Sequence, residues 1–527
     1  MTRWPRSPRR QRPIQTASAA LLLLVLSSGL ILFLPSGGGG RLHAADLLDT
    51  AHATMRRAAT FFETELATAG SYVWEYDAAD PRRRRGEAEV TLSQGWVQSP
   101  GTAAVGLTFL RAFAATGDEM FLQAAQRTAR ALVRTQLRSG GWWYRIEFDP
   151  IARRDWAYRT EPDAPPLPPG NRFRNASTLD DNNTQGALTF LMLADVALKG
   201  RDQAIREAIR YGLAQLRAAQ YPNGAWPVRL DRRAPTAPRL PPAQLPLYWP
   251  RTYVPPPAPF FSLNDHLIRD TIRMFLLAHR LYGEPADLQA ARRAGEFLIA
   301  ARLPPPQAGW AQTYNSEMTP IWGRRFEPPA LASRESAGCI EALLELYLYT
   351  GEERFTEPLK EGVDWLERSQ RRDGLWSRFY ELHTNRPLYM STEYVLTYND
   401  NDLPTHYGFV GTFDIPEVLL KYHRVAREGR EAYLAEARRS ASEVDRRIAL
   451  AHLAEAGSAI IERLDREGRW VEERKIKSST FITNMTTLAE LVALDEGRPT
   501  AWWDEIAAFE VTRISSGQGG RGAWAAE

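Results

Sequence analysis

Five stretches of this chain concentrate side chains able to do chemistry. The first is Thr178-Leu-Asp180-Asp181-Asn182-Asn183-Thr184-Gln185, and the second is Ser262-Leu-Asn264-Asp265-His266. The third runs from Pro320 through Trp322, Arg324, Arg325, Phe326 and Glu327 to Arg334, Glu335 and Ser336. The fourth is Arg378-Phe-Tyr380-Glu381-Leu-His-Thr384-Asn385-Arg386-Pro387, and the fifth spans Thr397 to Gly408, with Asn399, Asp400, Asn401, Asp402 and His406. Carboxylate and amide oxygens suit a hard cation such as calcium. Guanidinium forks suit carboxylates, and aromatic faces suit the apolar faces of sugar rings. A rim holding all three would handle an acidic polysaccharide. The plainer reading of the first two stretches is helix N-capping, for which one Asp or Asn suffices. Four consecutive acid or amide side chains exceed that need. Arg324 between Trp322 and Phe326 reads equally as a structural stacking pair or as a carboxylate reader.

Other chemistries lack their residues. The chain has no zinc-ligand spacing, no Gly-rich phosphate loop after a strand and no Gly-x-Ser-x-Gly. The single cysteine, Cys339, lies in an apolar helical run and cannot form an internal disulfide, so it reads as a buried inert thiol. The 66 basic and 63 acidic residues leave a formal charge of +3. Six of those arginines and no acid fall in residues 1–45, so the remainder carries 3 − 6 = −3. The basic balance is a property of that segment, and it does not indicate a nucleic-acid partner.

The elements that position the five stretches follow from a repeat. Gln-x-x-x-Gly-x-Trp occurs at Gln136–Trp142, Gln220–Trp226 and Gln370–Trp376, with looser copies at Gly309-Trp310 and Gly468-Arg-Trp470. Each copy closes a helical run: 123–138, 203–219, 286–302 and 355–371. An apolar helix follows at 187–198, 271–282 and 340–350. Long-period self-similarity of this kind builds a stacked or closed array of helix pairs. The Gly supplies the left-handed residue that ends a helix, and the Trp folds back as an apolar plug between neighbours. The fold class expected is all-α, an α/α toroid formed as an incomplete ring of helix hairpins. Short strands at 142–148, 377–382 and 388–398 would form β-hairpins at one rim. Loops joining an outer helix to the next inner helix all reach that rim, so residues far apart in sequence converge there.

Two proline-rich stretches interrupt the helices, at 161–170 and at 235–259. The second, with ten prolines and Tyr248, Trp249 and Tyr253, is expected to lie over the same rim. At the N-terminus, Arg3, Arg6, Arg9, Arg10 and Arg12 precede an apolar stretch from Ala19 to Leu34 and a small-residue segment ending at Ala45. This is the layout of a signal peptide or, uncleaved, of an N-terminal anchor that is short for a membrane span. The expected organisation is an export segment over 1–45, one toroid domain over 46–515 and a frayed Gly-rich tail over 516–527. The protein is expected outside the cytoplasm, as a monomer, with membrane contact only through that segment.

With these residues in view, the chain resembles the pectate lyases of polysaccharide lyase family ten. The resemblance rests on Tyr221-Pro-Asn-Gly-Ala-Trp-Pro227, Phe261-Ser-Leu-Asn264-Asp265, Trp322-Gly-Arg324-Arg-Phe-Glu-Pro-Pro, Arg334-Glu-Ser and Arg378 to Pro387. The stretch Thr178 to Thr184 fits the family's Thr-x-Asp-Asn-x-Ala-Thr block. The resemblance runs from about 48 to 425. It implies calcium-dependent β-elimination of polygalacturonate with an arginine base. Arg324 falls on the arginine that implies the base. Asp180 and Asp265 fall on cleft aspartates and become the expected metal ligands. Arg378 and Arg386 would orient uronate carboxylates. Further substrate contacts are expected from Asp181, Asn182, Asn264 and Tyr380, with Trp226, Trp322 and His406. The chain departs from the family at His266, where a second aspartate is usual, in the proline-rich loop and in the run at 399–406.

An arginine base is chemically demanding, since its guanidinium is normally protonated. Glu327 and His406 are the alternatives. A glycoside hydrolase on the same toroid would use a carboxylate pair such as Asp180 or Asp181 with Glu327 or Asp265. An exported polysaccharide-binding protein without catalysis would keep the aromatics and arginines. Squalene–hopene-type cyclases share the Gln-x-x-x-Gly-x-Trp repeats but need an Asp-x-Asp-Asp donor that this chain lacks.

Overall fold

A computed structural model describes residues 44–161, 174–230, 241–437 and 443–496. The expected export segment up to residue 43, nearly all of the proline-rich stretch at 161–170, the last residues of the expected toroid domain over 497–515 and the expected tail over 516–527 lie outside them. No helix among the described residues is long and apolar enough to cross a membrane.

Thirteen helices make up the described fold. The first is α1 (Ala44–Phe61), followed by α2 (Thr102–Thr116), α3 (Glu119–Arg134), α4 (Asn183–Ala197) and α5 (Gln203–Ala219). Next come α6 (Leu267–Tyr282), α7 (Pro285–Ala301), α8 (Ser333–Thr350) and α9 (Leu359–Arg368). The last are α10 (Ile415–Glu428), α11 (Arg430–Ala437), α12 (Glu443–Glu462) and α13 (Ser478–Glu496). The inner helices pack side by side in the order α13, α2, α4, α6, α8, α10, while α3, α5, α7 and α9 lie outside them. The protein is an all-α α/α toroid.

The turns explain why the chain folds this way. At the inner-to-outer turns, glycines in the left-handed region end α2, α6 and α8 (Gly117, Gly283 and Gly351). An acid then caps the outer helix: Asp118 accepts from the Met120 amide, Asp202 from Ile205 and Glu284 from Ala286. At the outer-to-inner turns the repeat residues act as read from the sequence. The indole N–H of Trp142, Trp226, Trp310, Trp376 and Trp470 donates to the last carbonyls of its own outer helix, at 2.8–2.9 Å. Gln136 Nε2 donates to the Gly140 carbonyl and to Ala208 of the next outer helix, both at 2.9 Å. Gln220 repeats this with Gly224 and Ala290. One glutamine thus staples consecutive pairs. A sixth copy, Gly70-Ser-Tyr72, has tyrosine in place of tryptophan, with Gly70 at φ 89° and Tyr72 buried.

The first and last described elements meet. Lys475–Lys477 pairs antiparallel with Glu75–Asp77, and α13 packs on α1 and α2. Two of the expected rim strands build one sheet: Phe379–Glu381, Pro387–Met390 and Leu396–Thr397 are joined by Ala330–Ala332 in a four-stranded sheet, while the expected strand at 142–148 is Arg145–Glu147 and pairs with Gln94–Trp96. The four-stranded sheet roofs a second apolar core containing Trp322, Phe326, Phe379, Tyr389, Tyr407 and Phe409. The described part of the second proline-rich stretch packs there, where Tyr253 meets the Trp322 ring edge-on at 5.8 Å.

The inner helices are less apolar than their periodicity suggests. Arg269, Asp270 and Arg273 of α6 and Glu341 and Glu345 of α8 are all buried. They form a ladder: Arg269 to Glu341 at 3.0 Å, Arg273 to Glu341 at 2.8 Å and to Glu345 at 2.5 Å, with Lys421 of α10 at 3.3 Å from Glu345. Charges enclosed in a helix wall persist because each has an opposite partner.

Candidate functional site

Two short turns, one turn ahead of α4 and α6, build the centre of the site. Asp180–Asn182 and Asn264–His266 are each offset by 84 residues, one repeat, and have the same conformation. In both, a hydroxyl two residues earlier accepts the first amide: Thr178 from Asp180 and Ser262 from Asn264, each at 3.1 Å. Both then place two consecutive non-glycine residues in the left-handed region. Asp181 has φ 52° and Asn182 56°; Asp265 has 47° and His266 61°. Asp, Asn and His tolerate this region better than other side chains, yet two in a row store strain. The same double turn, at Phe413 and Asp414, precedes α10. Its effect at α4 and α6 is to turn adjacent side chains to one point.

Oxygens of Asp180, Asp181 and Asp265 lie within 4.8 Å of one another. Asn264 bridges them, donating from Nδ2 to Asp265 Oδ2 at 2.6 Å and more weakly to Asp180 Oδ1 at 3.4 Å. Its own Oδ1 accepts from Gln312 Nε2 at 2.7 Å. The Tyr144 hydroxyl donates to Asp181 at 3.2 Å. Burial, then repulsion from Asp265, pushes the Asp180 carboxyl up to about 7. Burial and both neighbouring carboxylates push Asp181 up as well. Burial acts the same way on Asp265, but Arg334, Arg378 and Arg324 outweigh it and hold Asp265 below the usual carboxylate range.

A wall of guanidinium groups faces this cluster. Arg334 Nη1 lies 2.5 Å from Asp265 Oδ1. Arg378 Nη2 lies 2.7 Å from Glu335 Oε1, and its guanidinium sits 4.2 Å from the Tyr407 ring centroid. Arg324 Nη2 is 4.0 Å from Asp265 Oδ2, and Arg324 Nε donates to Glu327 Oε1 at 2.8 Å. Tyr407 O–H donates to the same Glu327 oxygen at 3.1 Å. Burial disfavours the Arg324 charge, but Glu327, Tyr407 and Asp265 outweigh it and raise its pKa well above the ordinary arginine value. His406 meets Phe326 edge-on at 5.0 Å, and burial followed by the Arg324 charge lowers its pKa, which favours the neutral imidazole.

The structure brings Asp180, Asp181, Asn264, Asp265, Arg324 and Arg378 into one cluster, with His406 joined through Phe326. Several expected roles need correction. In this state Arg324 is a stabilised cation locked to Glu327, which opposes its use as a base. Trp226 is fully buried, stacked on Phe275 at 5.6 Å, and bonded to the Leu216 carbonyl, so it is a core plug without a substrate face. Trp322 is 2% exposed and donates to the Pro250 carbonyl. Tyr380 is 1% exposed, bonded to the Ser369 carbonyl and packed on Trp365. Both belong to the walls. Asn182 is the N-cap of α4, and no hydrogen bond ties its side chain to the acids among the described residues. Arg386 is exposed on the hairpin, apart from the cluster, over the Tyr398 ring. Sequence reasoning missed Tyr144, Gln312 and Tyr407 as partners of the acids. For Tyr144 a signal existed, because it lies two residues beyond the Trp142 plug, just ahead of the strand Arg145–Glu147.

No family model matches the chain, and no curated protein matches it. Solved structures with similar folds include a family 10 polysaccharide lyase from Cellvibrio cellulosa (15% identity, TM-score 0.40, covering 62% of this chain and 97% of that one). The cellobiose 2-epimerase from Spirochaeta thermophila is similar at 14% identity and TM-score 0.44, covering 86% and 98%. A family 76 glycoside hydrolase (mannosidase) from Bacteroides thetaiotaomicron is similar at 9% identity and TM-score 0.43, covering 86% and 99%.

Proposed function

We propose that the protein is a carbohydrate-active enzyme that cleaves a uronate-bearing polysaccharide by β-elimination. The observation that carries this reading is the three-carboxylate cluster facing Arg324, Arg334 and Arg378. Such a site offers a substrate carboxylate both a cation and guanidinium forks. The donor set fits calcium: all oxygen, three of its atoms close together, and two of its carboxyls raised by burial and then by repulsion from neighbouring carboxylates, the second of which a bound cation would relieve. Asp180, Asp181 and Asp265 would hold the ion, which would stabilise the negative charge developing beside C5. The chain's own residues do the rest. Arg324 and Arg378 orient the uronate carboxylate as cations. His406 offers a neutral acceptor nitrogen for the C5 proton. The N-terminal basic, apolar and small-residue order supports export of this activity, which fractionation of the native host checks.

One observation favours hydrolysis instead. The Asp180 carboxyl is pushed up while Asp265 is held down, a split suited to an acid and its carboxylate partner. Mass spectrometry of the products separates the two readings. Elimination gives a fragment lighter by one water than hydrolysis gives. Fragments of hydrolytic mass only would remove the lyase reading.

A further inference from the structure

The guanidinium groups at the carboxylate cluster are each engaged by an acid: Arg324 by Glu327, Arg334 by Asp265 and Arg378 by Glu335. Two arginines on the same rim are not. Arg325 and Arg386 are exposed, and among the described residues neither makes an ion pair. Each lies over a partly exposed tyrosine. Arg325 Cζ is 5.9 Å from the Tyr394 ring centroid, and Arg386 Cζ is 3.7 Å from that of Tyr398. The tyrosines are 37% and 40% exposed. Both sit on one hairpin: Tyr394 at its turn, Tyr398 just after its returning strand Leu396–Thr397.

Tyr394 is displayed at a conformational cost. Its φ is 58°, in the left-handed region that bulky side chains avoid. Its amide closes the turn onto the Ser391 carbonyl at 2.9 Å, a bond that a Gly or Asn would make without strain. What the tyrosine adds is a ring at the hairpin tip. That ring lies 6.0 Å from both Phe326 and His406, and Phe326 in turn lies 4.9 Å from Arg324 Cζ. The pair therefore adjoins the candidate centre. Tyr398 is fixed by its own hydroxyl, which donates to Glu381 Oε1 at 2.6 Å.

Resting on the uronate reading above, we propose that Arg325 with Tyr394 and Arg386 with Tyr398 form two successive subsites for uronate units beyond the cleavage point. In each, the ring is an apolar platform and the unpaired guanidinium takes the sugar carboxylate. The occupant is the polyanion continuing out of the centre. Two unpaired positive charges suit it, the contacts of Tyr394 with Phe326 and His406 join the first subsite to the centre, and the hairpin carries both tyrosines.

The test uses the full chain, calorimetry and kinetics on a long polyuronate and on its trimer. The variants are Arg325→Gln and, separately, Arg386→Gln. Affinity for the long chain should fall on the order of tenfold in each, with KM rising and kcat kept, and with trimer turnover little changed. The Tm of each variant should stay at the wild-type value, because both guanidinium groups are exposed and make no ion pair among the described residues, which excludes misfolding as the cause. Unchanged long-chain affinity, or equal losses on trimer and long chain, would overturn the subsites. A wild type that binds the polymer through these residues but never cleaves it would leave the subsites standing and defeat the lyase reading. A wild type that binds no polyuronate defeats both.

Discussion

At the residue scale, the centre depends on three carboxylates forced together, and their protons report it. Asp180 binds its proton more tightly folded, at about 7, than unfolded, near ~4. The folded state therefore holds more protons across that window, and stability falls as pH rises through it. Tm measured from pH 4 to 7 should decline more in the wild type than in Asp180→Asn, and calcium at pH 7 should recover part of the difference. Parallel curves would mean that the acids do not interact as the geometry implies. Asp265 acts with the opposite sign: held low by arginines, it contributes above the unfolded value and loses that contribution as pH falls through its folded pKa. The proton acceptor can be tested separately. His406→Gln should lower kcat by a factor on the order of 10² to 10⁴ with KM little changed. Arg324→Ala should instead raise KM, and Arg324→Lys should restore little, because an ammonium lacks the fork that spans a carboxylate. The reverse split, with kcat lost only at Arg324, would return the base to that residue.

At the element scale, the tryptophan plugs separate what the sequence reveals from what it conceals. The Gly-x-Trp repeat is legible because the glycine's left-handed turn and the plug are local, recurring needs. Tyr72 escapes the pattern because a second aromatic can fill the same pocket. The double left-handed turns at Asp181-Asn182 and Asp265-His266 are harder to see, since Asp, Asn and His before a helix look like ordinary caps. Only the 84-residue equivalence of the two stretches hints at a shared purpose. Tyr380, Trp226 and Trp322 mislead for the opposite reason: their types suit sugars, but their polar atoms are already satisfied by backbone. Trp226→Phe removes the indole bond to the buried Leu216 carbonyl and should cost about 1–3 kcal/mol in urea unfolding. Activity at saturating substrate and KM should stay as in the wild type. A change in KM without loss of stability would restore Trp226 to the substrate surface.

At the scale of the whole molecule, the toroid is held by contacts between its first and last described elements. Residues 475–477 pair with 75–77, α12 and α13 pack on α1, and α13 packs on α2. The first outer helix therefore has no finished neighbour until the last pair is made. Truncation after residue 464 should expose that apolar face and give an insoluble or molten chain, read by near-ultraviolet circular dichroism and sedimentation. A soluble truncated protein with native spectra would show that the end-to-end packing is dispensable. Inner-helix charge was the part of the architecture least legible in sequence. Arg269 and Arg273, and Glu341 and Glu345, each recur at four residues within apolar helices, and nothing local says that the two pairs meet.

On the proposed function, this ring gathers an acidic cluster and an arginine wall to eliminate across a uronate. The most direct measurement is the initial rate at which ultraviolet absorbance of a conjugated double bond appears when purified protein meets de-esterified polyuronate. It is recorded with calcium and then with excess chelator. The result expected is a steady rise with calcium, its collapse on chelation and its recovery on adding calcium back, with Asp265→Ala giving no rise. Chain shortening with no absorbance under any of these conditions would contradict the claim.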